Sequence, residues 1–207
     1  MIQTFEQWQT FLNNLDGIFA NETLREQIIL GYNIYLNETD WTDFWTIVDR
    51  YPVTLRVSIA APGGIFVTYK DKKEEYYTLL KPLFLQFISE AKERNCSLNI
   101  DCNHIPYCFF TEEELALITE VCGEPPKVDI CNSPIAILSN YEAMSCFMIN
   151  EKVNYKDFDD VDEMRTYFVN RVHYNYIINN DDMCKDCKKF QHSTCQGGCL
   201  AFSKLNR

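Results

Sequence analysis

The chain has 207 residues, 46% hydrophobic and 14% aromatic, and a formal net charge of −11. Such a composition supports a sizeable core and excludes a disordered chain. The acidic balance leaves no electrostatic footprint for nucleic acid or an anionic membrane surface and is mainly a solubility property, so neither nucleic acid nor membrane is an expected partner.

In chain order, residues 4–19 predict an amphipathic helix, with Phe5, Trp8, Phe11, Leu12, Leu15 and Phe19 at helical spacing and Thr4 as N-cap. No basic region followed by an apolar run precedes it, so no secretion signal is expected, and no apolar run reaches the length of a membrane span. Ile28 to Tyr35 is short and rich in branched and aromatic residues, which predicts a buried strand. Thr39 or Asp40 then caps a helix carrying Trp41, Phe44, Trp45, Val48 and Tyr51, and Pro52 stops it. A second strand is expected at Leu55–Ala60, ended by Pro62-Gly63-Gly64. A long helix over 73–94 follows, with a kink or restart expected at Pro82. The third strand is 97–102, and Thr111 with Glu114 forms a capping box for a helix ending at Cys122-Gly123. Strand and helix alternating three times predicts parallel βαβ units with right-handed crossovers.

The character changes near residue 125. Glu124-Pro125-Pro126 reads as a linker between a region 1–124 and a smaller region 125–207. Within the second, 134–138 and 143–147 flank Asn140-Tyr141-Glu142 as a hairpin, and 160–178 predicts a helix leading to the C-terminal cysteines.

Ten cysteines in a chain without a secretion signal point to a reducing compartment, the cytoplasm, where Cys-x2-Cys pairs more often bind metal than form disulfides. Four fall in sixteen residues, Cys184, Cys187, Cys195 and Cys199, spaced C-x2-C-x7-C-x3-C. Thiolates two or three residues apart close readily on one metal centre, and Gly197-Gly198 lets the backbone turn beside Cys199. Spacing alone leaves zinc and an iron–sulfur cluster both open. His192 lies inside the knuckle as a substitute ligand. Cys96 and Cys122 read as small buried apolar residues, and Cys102 and Cys108 as core or loop packing.

The order of these features resembles the C-terminal half of radical S-adenosylmethionine enzymes that carry a SPASM or twitch extension. The resemblance rests on Leu30-Gly31-Tyr32-Asn33-Ile34-Tyr35, Leu55–Ile59, Asp101-Cys102 with Cys108, Phe110–Leu115, the segment from Cys131 to Cys146, and Cys184 to Phe202 with its Cys195-Gln196-Gly197-Gly198-Cys199. It implies an α/β fold: a partial (β/α) barrel of about three parallel strands, followed by a small Cys-rich α+β domain of SPASM/twitch type. It also implies ligands for auxiliary clusters at Cys131, Cys146 and Cys199 and at Cys184, Cys187 and Cys195. One [4Fe–4S] cluster is the expected cofactor, two clusters or zinc the alternatives. Asn33, Arg56 and Ser58 would face S-adenosylmethionine; the competing reading pairs Arg56 with Asp101 and lets Asn33 and Ser58 satisfy backbone groups.

Three departures limit what the resemblance implies. No C-x3-C-x2-C occurs, so the catalytic cluster that cleaves S-adenosylmethionine has no ligands here. Seven residues, Lys188 to Thr194, separate the second and third knuckle cysteines, a longer run than the family's usual one. No cysteine follows Cys199. The expectation is an accessory portion, truncated or split and not catalytic alone. A chain carrying the missing half-barrel and a peptide or protein substrate are its implied partners. A non-catalytic peptide-binding module with a structural zinc or iron–sulfur site is the alternative.

Overall fold

The computed structural model describes residues 5–36, 40–51, 53–61, 68–101, 105–123, 135–149, 151–179, 184–192 and 195–206. The expectations for Thr4, Thr39, Pro52, Pro62-Gly63-Gly64, Cys102, the linker at 124–126 and Cys131 concern residues outside that set.

Helix α1 (Phe5–Phe19) and the short α2 (Glu22–Arg25) precede β1 (Ile29–Ile34). Then come α3 (Thr42–Arg50), β2 (Thr54–Ile59), α4 (Lys73–Glu93), β3 (Leu98–Ile100) and α5 (Glu112–Cys122). The three strands form one parallel sheet in the order β1-β2-β3, with Gly31 opposite Arg56, Asn33 opposite Ser58 and Arg56 opposite Asn99. The strand–helix alternation read from the sequence is thus the observed topology.

Side chains alternate across a strand, so each face of the sheet has its own chemistry. Ile34, Leu55, Val57, Ile59 and Leu98 are buried on one face, against Trp41 and Trp45 near and in α3, Tyr76, Tyr77, Leu80, Phe84 and Phe87 of α4, and Ile118 of α5. On the other face Gly31, Asn33, Thr54, Arg56 and Asn99 are exposed. Parallel sheets ordinarily bury both faces. Here, among the described residues, helices cover one.

Helix α4 is the spine of this half. Its inner face repeats at Lys73, Tyr76, Tyr77, Leu80, Phe84, Phe87, Ile88 and Ala91, all buried. It runs unbroken through Pro82, whose ring is exposed, rather than restarting there. Asn95, at φ 53°, ends it, and the Cys96 N–H reaches back to the Ala91 carbonyl at 2.9 Å. The predicted capping box of α5 is present: Thr111 Oγ1 accepts from Glu114 N–H, and Glu114 accepts from Thr111 N–H at 2.8 Å. Gly123 closes the helix at φ 74°. For α3 the cap position is held by Trp41, which makes no side-chain cap bond; Asp40, the expected cap, lies one residue before it and accepts from Thr42 N–H at 3.0 Å.

Beyond residue 134, β4 (Ala136–Ile137) and β5 (Glu142–Met144) make the expected hairpin, with Tyr141 at φ 66° in its turn. A third strand, β6 (Val153–Asn154), pairs with β5 and carried no period in the sequence because it is two residues long. The helix expected over 160–178 is α6 (Val161–Tyr167), a π-helical stretch Phe168–His173, and α7 (Tyr174–Ile178), capped by Asp160. Its buried residues Met164, Phe168, Val172 and Tyr176 form a second core with Ala143, Ile149 and Leu200. Helix α8 (Lys188–Gln191) lies within the cysteine segment. The 3₁₀ turn Leu200–Phe202 joins the halves: Leu200 belongs to the second core and Phe202 to the first.

Candidate metal centre

The cysteine segment docks on the N-terminal end of α4. Lys73, at 2% exposure, donates from Nζ to Cys184 Sγ at 3.5 Å. One turn on, the Tyr77 hydroxyl accepts from the Cys199 N–H at 3.0 Å, and its ring packs on Phe202 at 5.1 Å. Gly198 sits against that hydroxyl at φ 88°. A Cβ there would stand 2.5 Å from the Tyr77 oxygen and 2.9 Å from Pro106 Cγ, so only glycine allows the approach. The turn beside Cys199 read from the sequence thus has glycine where the Tyr77 and Pro106 side chains leave no room for a Cβ.

Cys184 is buried, and Cys187, Cys195 and Cys199 are half-buried. Burial pushes the Cys184 thiol up; the Lys73 ammonium opposes this, and the neighbouring Cys195 and Cys187 add to it. These three sulfurs therefore share one electrostatic neighbourhood. Cys195 Sγ accepts from the Gly197 N–H at 3.3 Å, and Cys146 Sγ from the Met148 N–H at 3.4 Å. An N–H two residues on, aimed at sulfur, stabilises the thiolate that a metal requires. Cys146 is further placed by Ser145, buried, whose hydroxyl meets His173 Nε2 at 2.8 Å. The π-helical stretch carries His173 to that position.

Among the described residues no three Cys, His, Asp or Glu side chains are gathered tightly enough to hold a metal ion as they stand. The side chains of this segment are of the type that ligates soft metals, with Cys184 accepting from the buried Lys73 and Cys195 from a backbone N–H, but as placed they are not gathered into a site. His192 is exposed at the end of α8.

The residues proposed for S-adenosylmethionine lie on the polar sheet face, where Asn33 and Arg56 are exposed and Ser58 is buried. Arg56 Nε lies 3.1 Å from Asp101 Oδ2. Ser58 Oγ donates to Asn33 Oδ1, its register partner. The ion pair matches the competing reading. Asn33 and Ser58 satisfy each other rather than backbone groups.

A separate cleft of about 240 Å³ involves Trp41, Trp45, Asp49 and Arg94 at the other end of α4. A helix of 21 residues separates it from the cysteines by about 30 Å.

Sequence reasoning passed over Lys73 and Tyr77. Their signal was present: both fall on the face continued by Leu80, Phe84 and Ala91, and a lysine at an inward position needs a polar partner inside. No family model, curated protein or solved structure matches the chain.

Proposed function

We propose that this chain is the accessory, cluster-binding portion of a radical S-adenosylmethionine/SPASM-like peptide- or protein-modifying system, holding an auxiliary iron–sulfur cluster and inactive alone. The observation that carries it is the docking of the cysteine segment on the end of α4, where Cys184 accepts from the buried Lys73 and the Cys199 N–H donates to Tyr77. Such donors tune a cluster as well as hold it. In this reading Cys184, Cys187 and Cys195 hold one cluster, and Cys146 and Cys199, with Cys131, are the ligands of a second if there is one. When bound, the cluster supplies an electron-accepting or substrate-anchoring centre. The protein's own part is to bury Cys184, aim N–H groups at sulfur and pin the segment through Tyr77.

The uncovered polar face and the edge of β1, which no other strand joins among the described residues, support a split barrel. A second chain bearing the C-x3-C-x2-C half would pair along β1, enclosing Asn33, Arg56 and Ser58 around S-adenosylmethionine. Copurification with such a chain supports this; a monomer indifferent to any half-barrel partner sinks it.

The second reading is a peptide-binding module with structural zinc. It is favoured by the tight Cys184–Cys187 turn, where Cys187 N–H bonds the Cys184 carbonyl at 3.1 Å, a geometry that serves zinc equally. Anaerobic purification with iron, sulfide and zinc analysis separates the two. Iron and sulfide in equal amounts with absorption near 400 nm, about four irons per cluster, support the first reading. Stoichiometric zinc without iron reverses it.

A further inference from the structure

We infer that Lys73 and Cys184 form a covalent modification site: in the metal-free chain, dioxygen joins Lys73 Nζ to Cys184 Sγ through one oxygen atom. The inference does not rest on the cluster reading. A sulfur held by a metal is not free to react, so the bridge belongs to the chain without one.

Lys73 is the first residue of α4 and is 2% exposed. Nothing in that position favours a buried ammonium. The start of a 21-residue helix is the positive end of its dipole, and burying a charge is costly in itself. Cys184, 8% exposed, accepts from Lys73 Nζ at 3.5 Å, and sulfur is a weak acceptor. A neutral nitrogen–oxygen link removes the buried charge and leaves the same two side chains in place.

The cysteine segment holds the two atoms face to face. Cys187 N–H bonds the Cys184 carbonyl at 3.1 Å, which fixes the turn carrying the sulfur. One turn along α4, Tyr77 accepts from the Cys199 N–H at 3.0 Å and pins the other end of the segment to the same helix. Groups held about 3–3.5 Å apart are in range for bond formation. Dioxygen is small and apolar, so burial that keeps bulk water off the pair does not exclude it.

The Cys184 thiol, the Lys73 ammonium and one dioxygen give the sulfur–oxygen–nitrogen bridge, one water and one proton. One S–O and one O–N bond form; the O–O bond, the S–H bond and two N–H bonds break. Sulfur and nitrogen each give up two electrons, and dioxygen takes the four. One oxygen atom stays in the bridge, the other leaves as water, and the proton goes to solvent. Lys81 and Lys92, whose ammonium groups meet Glu114 and Glu120 at 2.9 and 2.7 Å, are internal controls.

The test exposes the full metal-free wild-type chain to air, beside the variants Lys73→Arg and Cys184→Ser. Each is then unfolded without reductant, alkylated, digested with trypsin and analysed by mass spectrometry. The expected wild-type product joins the peptides carrying Lys73 and Cys184 and is about 14 Da heavier than their sum, one oxygen gained and two hydrogens lost. Trypsin should no longer cut after Lys73, and Cys184 should escape alkylation. Dithiothreitol should return both peptides unmodified. Lys73→Arg, which keeps a cation beside the sulfur, and Cys184→Ser should give no such product, and Lys81 and Lys92 should stay unmodified. Far-UV circular dichroism checks that the variants fold, and the wild-type peptide map decides without them. Separate, unmodified Lys73 and Cys184 peptides from folded wild type exposed to air overturn the inference. So does a joined product about 2 Da lighter than the sum, a direct S–N bond without oxygen, or an increment of about 14 Da that resists dithiothreitol.

Discussion

Gly198 and Gly17 are the same residue type under opposite constraints. Gly17 lies in α1 with nothing within 4 Å of the place a Cβ would take, whereas Gly198 is pressed on Tyr77 and Pro106 at φ 88°. Gly17→Ala should therefore stabilise by about 0.5–1 kcal/mol through helix propensity. Gly198→Ala should destabilise by about 1–3 kcal/mol, from strain and displaced contacts. Urea titrations of both variants check the pair, and equal effects would contradict the packing described. Glu114 gives a pH-dependent contribution. Desolvation works to raise its pKa, but the Thr111 N–H and the Lys81 ammonium, 2.9 Å away, outweigh it and hold the folded value below 4.5. A depressed carboxylate contributes its full stability above the unfolded pKa and loses it as pH falls through the folded one. Glu114→Gln, which keeps a capping side chain but cannot pair with Lys81, should be less stable than wild type at pH 7 and converge with it as pH falls below 4.5, read by thermal melts across that range. Thr111 and Glu114 were legible in the sequence because a capping box is local. Lys73 was not, because its partner Cys184 lies 111 residues away.

At the scale of elements, α4 connects everything that matters. Its first turn carries Lys73 and Tyr77 to the cysteines, and its later turns carry Phe87 to the aromatic cluster of Tyr32, Trp41, Phe44 and Trp45, with ring centroids 4.8–5.5 Å apart. Phe87 is fully buried, so Phe87→Ala should cost about 3–5 kcal/mol by losing apolar burial and leaving a cavity. Calorimetry of the variant checks this; a loss under about 1 kcal/mol, the scale of surface changes, would mean the cluster is not a unit. The element order of the first half was readable because each strand and helix has a strong period of its own. The hairpin was readable from its turn residues. What escaped was β6, two residues long, and the π-helical register of Phe168–His173. Neither leaves a periodic trace: a pair of residues has no period, and a π stretch shifts the helical phase without changing composition.

For the whole molecule, two cores are joined by Leu200 and Phe202, and the cysteine segment lies at that junction. Its contacts with Pro106, Lys73 and Tyr77 tie the turn after β3, the end of α4 and the C-terminal segment together. The sequence placed the cysteines and the parallel sheet. It could not place the turn Tyr107–Phe109 beside them, since proximity there is made by Pro106, Tyr107 and Phe109 packing on Gly198, Lys189 and Tyr77. The open edge of the sheet was foreshadowed by a strand count too small to close a barrel, whereas the polar face was not. The central claim is that these thiols hold one auxiliary cluster. Native mass spectrometry of the anaerobically purified chain tests it most directly. One added mass of about 350 Da, the weight of four irons and four sulfides, is the predicted result. An increment of about 65 Da for a single zinc, or the bare chain alone, would contradict it.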